Sequence, residues 1–380
     1  MRPPKVLLVV SYFPPHRGGV ELYASNIAEW LSYQYGWEVV VVTTGEGSKA
    51  EIQEKNSRLK VYRLPYWCKL SNSPLSLGWF WRIKKIIKAE KPDVINVHAP
   101  VPGLPDIASL LAGKRSVIVT YHMGTMRKDR SWLNPIIWMY EHILIKPMLR
   151  KSKKIISSSD YVRDCFLSGY RRKVQTITPA VDSGRFHPAT HTVTAPHIIF
   201  VGSLNKTDGH KNLRSLLAAC RELHPAFPDL RLTAVGGGDD SGMYRRLAVD
   251  MGLEDVVTFT GWLDRDELAE AYRAATVFVL PSTNDSFPLV ITEAMASGLP
   301  VISTRVGGIP TLVDDEIDGL LVDPPDPGTL SGALKRILVD KDLATRMGAA
   351  GRHKAVHSLS WPSRAEMTDK VFREVLAVGV

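Results

Sequence analysis

The stretch VFVLPSTNDSFPLVITEAMASGLPVIS, residues 277–303, decides how this chain is read. It opens on four apolar residues, Val277 to Leu280, a run suited to a strand buried on both faces. Pro281 and Ser282 end that strand, and Asn284, Asp285 and Ser286 form a polar loop. Pro288 suits the first turn of a helix, and Gly298 suits its C-terminal cap, with Pro300 just beyond. A further apolar run from Val301 predicts the next strand. In such a strand–loop–helix–strand unit the free N–H groups at the helix start point over the carboxyl end of the first strand, the usual place of a phosphate. Glu293 lies about one and a half turns into the helix. There a carboxylate can accept bonds from the two vicinal hydroxyls of a ribose. The plainer reading leaves Glu293 as a surface residue on a well-capped helix.

Working outward, short β-rich runs alternate with helical patterns along the whole chain. Strands are expected at Lys5–Val10, Val39–Thr43, Leu59–Arg63, Val94–Val97, Val117–Thr120 and Lys154–Ser157, with helices at Val20–Tyr33 and Leu77–Ala89. The pattern restarts with strand His197–Val201 and a helix over Asn212–Leu223. Strands follow at Leu230–Val235, Val256–Thr260 and Val277–Leu280, with a helix over Arg265–Ala274 between the last two. This alternation predicts an α/β chain with parallel, doubly wound sheets. A Pro-, Gly- and Thr-rich stretch near 182–197 marks a linker. The expected plan is two Rossmann-like domains across a cleft, 1–188 and 189–360, with a C-terminal helix over about 361–380 packing back on the first.

The 380 residues are 44% hydrophobic and 23% charged, which is globular composition. Three dispersed cysteines, Cys68, Cys165 and Cys220, argue against a disulfide scaffold and for a reducing compartment. The N-terminal apolar run is too short for a signal peptide, and the stretch from Trp132 to Met148 is interrupted by Glu141, His142 and Lys146, so a soluble protein is expected. The net charge of +9 is unevenly placed. Residues 1–190 hold 29 Lys and Arg against 14 Asp and Glu, a surplus of +15, and the remainder carries −6. Such a surplus points to an anionic partner for the first half, the plainer reading being a solvated basic face.

Three more segments bear on chemistry. Phe13 to Glu21 joins the first strand to the first helix and contains Gly18 and Gly19, whose backbone can approach a ligand closely. Its Gly-Gly spacing is not the GxGxxG of a dinucleotide site. The run Val235-Gly-Gly-Gly-Asp-Asp240 also ends a strand, as a ligand cradle or as a tight turn before a helix. His122 follows the strand Val117–Thr120, and His98 ends the strand before it. Aromatic and basic residues alternate in Tyr66 to Lys88 and again from Arg127, Lys128, Arg130 and Trp132 to Lys151. That mixture suits the headgroup zone of an anionic membrane, where each basic residue contributes about 1 kcal/mol. Nothing resembles a nucleic-acid recognition motif.

The segment from Asp285 to Val301 resembles the signature of the retaining family 4 glycosyltransferases of the GT-B fold: an acidic residue, seven residues, Glu293, then Ala294-Met-Ala-Ser-Gly-Leu-Pro-Val301. Phe13–Glu21, Thr120-Tyr-His122, Phe259-Thr-Gly-Trp262, Val306-Gly-Gly-Ile-Pro310 and Asp318-Gly-Leu-Leu-Val322 are similar to the family's other blocks, so the likeness spans nearly the whole chain. Two positions depart from the pattern: Asp285 stands for the family's first Glu, and Ser203 follows Gly202 where an Arg is usual. Lys211 matches the family's Lys, with Lys206 nearby.

The resemblance implies a nucleotide-sugar donor in the second domain, contacted by Gly18, Gly19, Ser203, Lys211, Gly237, Phe287, Pro288, Leu289, Val290 and Glu293. It implies catalytic roles for His122 and Asp285, and no metal or other cofactor. The basic first domain would take an anionic or lipid-linked acceptor, with Arg127, Lys128, Arg130 and Trp132 toward it or the membrane. Peripheral attachment to the cytoplasmic side of a membrane follows. Two rival expectations are a nucleotide-sugar epimerase of the same fold and a non-catalytic nucleotide-sugar-binding subunit.

Overall fold

The computed structural model describes residues 2–16, 18–70, 73–127, 132–190, 195–323 and 326–377. The chain divides into two units, Met1–Pro179 with Trp361–Val380, and Ala180–Ser360. This boundary precedes the expected 188. Val181 bridges to Ser360, Phe186 is fully buried in the second core, and Arg352 donates to the carbonyls of Ser183, Phe186 and Ala296 at 2.6–3.1 Å, so the linker segment belongs to the second unit. The segments exchanged by this shift carry no net charge, and the surplus of +15 stays with the first unit.

The first unit is built on β1 (Lys5–Val9), β2 (Glu38–Gly45), β3 (Glu51–Asn56), β4 (Leu59–Pro65), a small hairpin of β5 (Cys68–Leu70) and β6 (Ser73–Leu75), β7 (Val94–Ala99), β8 (Ser116–Tyr121), β9 (Lys154–Ser157) and β10 (Val174–Thr176). The main sheet runs β10-β9-β8-β7-β1-β2-β4-β3. Every pair is parallel except β3 with β4. The central strands are apolar along their length because helices cover both faces. β3 escaped the apolar pattern: EIQEKN is an exposed edge whose charges discourage further pairing.

The helices of this unit are α1 (Gly19–Tyr33), α2 (Trp79–Glu90), α3 (Leu104–Leu111), α4 (Asn134–Met139), α5 (Lys146–Lys151) and α6 (Asp160–Phe166). A π-helical turn, Tyr140–Leu144, joins α4 to α5, and no helix among the described residues is long and apolar enough to cross a membrane.

The second unit has β11 (His197–Val201), β12 (Arg231–Val235), β13 (Val257–Gly261), β14 (Val277–Leu280), β15 (Val301–Thr304) and β16 (Gly319–Val322), all parallel, in the order β13-β12-β11-β14-β15-β16. Its helices are α7 (Leu213–Leu223), α8 (Ser241–Asp250), α9 (Arg265–Arg273), α10 (Leu289–Ala296), α11 (Pro327–Val339) and α12 (Lys341–Ser358). Among its parallel strands each sheet reverses its order once, at β1/β7 and at β11/β14. Open α/β sheets bind ligands outside the carboxyl ends of the strands at such a reversal.

The last helix, α13 (Trp361–Ala377), returns to the first unit and packs on α1. The anchor is Trp37, fully buried, whose indole Nε1 donates to Asp369 Oδ1 at 2.6 Å while its ring meets Phe372 edge-on at 5.6 Å. Removing the acceptor leaves a buried N–H unpaired, so Asp369→Ala should destabilise the protein by about 1–3 kcal/mol. Urea unfolding followed by tryptophan fluorescence measures this, and an unchanged midpoint would refute the anchor.

Candidate functional site

In the second unit the adjacency of β11 and β14 brings the loops after them together. Thr283 N donates to His210 O at 2.7 Å, stitching one loop to the other. Lys211 closes the 3-10 turn Lys206–Lys211, and its Nζ lies 2.5 Å from Asp285 Oδ2. Asp285 is held from behind by Gly308 N, which donates to its carbonyl at 2.8 Å. Gly307 sits at φ +55, and a Cβ there would fall 2.0 Å from that same carbonyl, so only glycine permits the approach. Two residues separated by 74 positions are thus fixed as an ion pair at the strand-order reversal.

Pro288 is the N-cap of α10 rather than its first residue, and Phe287 packs against the core behind it. Leu289 and Val290 open the helix, and their N–H groups have no partner within it. Gly298, at φ +74, follows the helix as expected. Glu293 is not a surface residue. It is 5% exposed, with Arg265 Nη1 and Tyr272 Oη each 3.3 Å from its carboxylate. Burial pushes its pKa up, while Arg265 and the Tyr272 hydrogen bond oppose that rise. Nothing in the spacing around Arg265 and Tyr272 marked either residue in the sequence.

Ser203 donates its hydroxyl to Asp208 Oδ2 at 2.7 Å and accepts from Asn205 Nδ2 at 2.7 Å, so this side chain organises the loop after β11. The glycine run after β12 packs against that loop. Gly236 adopts φ +133, with a Cβ position 1.9 Å from the Gly202 carbonyl, and its N–H donates to Gly261 O. Gly237 accepts from Leu204 N at 3.0 Å and lies under the Trp262 ring. These backbone bonds make the run a close contact between two loops.

In the first unit Gly18 is the N-cap of α1 and Gly19 its first residue. The Glu21 carboxylate folds back over this helix start and takes a 2.9 Å bond from His16, whose ring stacks on Tyr12 at 4.2 Å. Across the strand-order reversal, His122 Nε2 lies 2.8 Å from His98 Nδ1, and His98 Nε2 lies 3.1 Å from Asn96 Oδ1. Tyr23 meets the His122 ring edge-on at 5.2 Å. Burial pushes His122 down to about 3 and His98 well below the ordinary histidine range, the second helped by its neighbour. Both rings are therefore neutral near pH 7, and each keeps one ring nitrogen with a lone pair that can accept a hydrogen bond. Asn96 had a readable signal: with His98 it puts two polar residues on one face of an apolar strand.

The aromatic and basic stretches divide in the structure. In α2, Trp79 is buried and donates to Pro65 O at 2.8 Å, so that helix faces the core, with Trp81 and the lysines outside. Around α4 several apolar residues face outward: Trp132 is 76% exposed, and Ile136, Trp138, Met139, Ile143 and Leu144 are also exposed, while Leu133 and Tyr140 are buried. Arg127 is exposed as well, while Lys128 and Arg130 lie outside the described residues. Among the described residues, no group of three or more His, Cys, Asp or Glu is arranged to hold a metal ion.

Residues 17–185 match the family model described as Glycosyltransferase Family 4, and residues 186–354 match Glycosyl transferases group 1. A D-inositol 3-phosphate glycosyltransferase of Thermobifida fusca is 35% identical over 219 residues, 54% of this chain and 50% of that one. The chain thus spans about half the length of the first relatives it matches. A GDP-mannose-dependent alpha-(1-6)-phosphatidylinositol monomannoside mannosyltransferase of Mycolicibacterium smegmatis is 27% identical over 380 residues, covering 94% of this chain and 96% of that one. Among solved structures, the sucrose-phosphate synthase of Thermosynechococcus elongatus aligns with a TM-score of 0.80 at 25% identity, covering 99% and 100% of the two chains.

The lowered pKa of His122 has a consequence for acid stability. His122 titrates at about 3 when folded, against 6.5 ordinarily, so between those values the unfolded chain binds the extra proton. The stability that depends on its neutrality is complete above pH 6.5 and is lost as pH falls toward 3. Thermal unfolding midpoints measured across that range should fall less steeply for His122→Gln than for the wild type. Identical slopes would contradict the neutral ring.

Proposed function

Since the chain belongs to the family 4 glycosyltransferases of the GT-B fold, we propose that it transfers a sugar, with retention, from a nucleoside diphosphate to a hydroxyl of a phosphate-bearing or lipid-linked acceptor. The observation that carries this reading is the Lys211–Asp285 pair at the start of α10, over the β11/β14 reversal. A diphosphate placed there meets an ammonium and free helix N–H groups, both of which stabilise the negative charge that grows as the sugar leaves. The Glu293 carboxylate is buried against Arg265 and Tyr272, so a ribose hydroxyl reaches it only by taking the place of one of these partners. In the transfer step the acceptor oxygen bonds to the anomeric carbon on the face the diphosphate leaves. The breaking C–O bond gives its electron pair to the phosphate, and a phosphate oxygen takes the hydroxyl proton. His122, neutral and hydrogen-bonded, serves as a contact to a sugar hydroxyl and not as the base.

The +15 surplus of the first unit supports an anionic acceptor there. Two relatives are named for phosphorylated inositol acceptors, which supports a polyol phosphate, free or lipid-borne, as the class to try first. The exposed apolar residues of 132–144, with Arg127, Lys146 and Arg150 beside them in the chain, support docking on an anionic membrane face.

Radiolabelled UDP-, GDP- and ADP-sugars offered with inositol phosphate or phosphatidylinositol should yield a labelled acceptor of unchanged anomeric configuration. Lys211→Met should lower kcat/KM about ten- to a hundredfold, through loss of a charged hydrogen bond. Epimerised sugar nucleotide as the sole product, or full activity in Lys211→Met, would overturn the assignment. Flotation with vesicles should require anionic lipid and weaken in the variant Trp132→Ala/Ile136→Ala/Trp138→Ala. Binding that ignores lipid charge would remove the membrane proposal.

A further inference from the structure

Asn96, His98 and His122 form a chain of hydrogen bonds whose directions can be assigned one after another. Asn96 is 2% exposed, and its Nδ2 lies 3.2 Å from Ile118 O and 2.9 Å from Thr120 Oγ1. A backbone carbonyl only accepts, so the amide nitrogen must face Ile118, which leaves Oδ1 toward His98. His98 Nε2, 3.1 Å away, must then carry a proton, and in a neutral ring its Nδ1 holds the lone pair. That lone pair lies 2.8 Å from His122 Nε2, so the His122 proton is on Nε2.

We propose that Asn96 and His98 are positioning residues that hold His122 in its Nε2–H tautomer, so that Nδ1 is the atom it offers to a substrate hydroxyl. The substrate half of this statement rests on the glycosyl-transfer reading above; the tautomer half does not. The surroundings keep the ring still as well as neutral. His122 N donates to Ala99 O at 3.0 Å, Ser158 Oγ donates to His122 O at 2.7 Å, and Tyr23 packs edge-on against both imidazoles. A ring so held accepts from an O–H and rejects an ether or fluorine, which only accept. Selection of the sugar or acceptor hydroxyl thereby reaches back to Asn96, which sits in the middle of β7.

Long-range 1H–15N correlation spectra of uniformly labelled protein read the tautomer directly, with the His122 signals identified by their loss in His122→Gln. A pyridine-type Nδ1 and a pyrrole-type Nε2 are expected. His98→Gln supplies both a donor and an acceptor, so it should keep that pattern and most of the activity. His98→Leu should lose the single pattern and lower kcat about tenfold with little change in KM, the cost of one misdirected hydrogen bond. A protonated Nδ1 in the wild type, or an unchanged His122 pattern in His98→Leu, would overturn the proposal. Should the expected pattern be found in a protein that transfers no sugar, the tautomer assignment stands and the transferase reading falls.

Discussion

β11 pairs in parallel with β12 on one side and β14 on the other, and the whole Lys211–Asp285 arrangement depends on that adjacency. Parallel pairing places the carboxyl ends of all three strands at one edge of the sheet, so the loops that follow must share that space. They do so by direct backbone contact: Gly236 against Gly202, Thr283 to His210, Gly307 against Asp285. Loops joined in this way cannot drift independently, and the Lys211–Asp285 pair inherits their precision. A side chain larger than hydrogen at Gly236 or Gly307 would have to displace main chain, which is why the glycines there serve geometry before they serve any ligand.

The two units solve the problem of buried polar groups differently. In the second, both signature carboxylates are held by cations, Asp285 by Lys211 and Glu293 by Arg265. Such pairs offset the cost of desolvating each charge. On the proposed reading, a diphosphate competes with Asp285 for the Lys211 ammonium. The first unit places no charge at its central histidines. Asn96, His98 and His122 satisfy one another as neutral groups, and burial keeps them so. One unit meets buried charge with opposite charge, and the other, at this point, meets buried polarity with neutral hydrogen bonds.

Much of the architecture was legible along the chain because parallel strands covered on both faces read as continuous apolar runs. Val6 to Val9, Val39 to Val42 and Val277 to Leu280 are of this kind, and all are buried. β3 was not legible, since an exposed edge strand has no core-facing side to pattern. The linker boundary moved because Val181 and Phe186 join the second unit through contacts with residues far along the chain. The stretch from Trp132 to Met148, apolar but interrupted by Glu141, His142 and Lys146, takes a π-helical turn at Tyr140–Leu144 and splits its apolar residues, with Trp132, Ile136, Trp138, Met139, Ile143 and Leu144 exposed and Leu133, Tyr140, Ile145 and Met148 buried.

The sequence by itself determined the α/β plan, the restart of the pattern after the linker, and the family signature from Asp285 to Val301, because these are local or periodic features. Only the tertiary structure decided which side chains meet. It paired Lys211 with Asp285, buried Glu293 against Arg265 and Tyr272, committed Ser203 to Asp208, and linked His122 through His98 to Asn96. Strand order in a parallel sheet is set by crossovers whose ends are distant in sequence, so no spacing along the chain encodes which loops become neighbours.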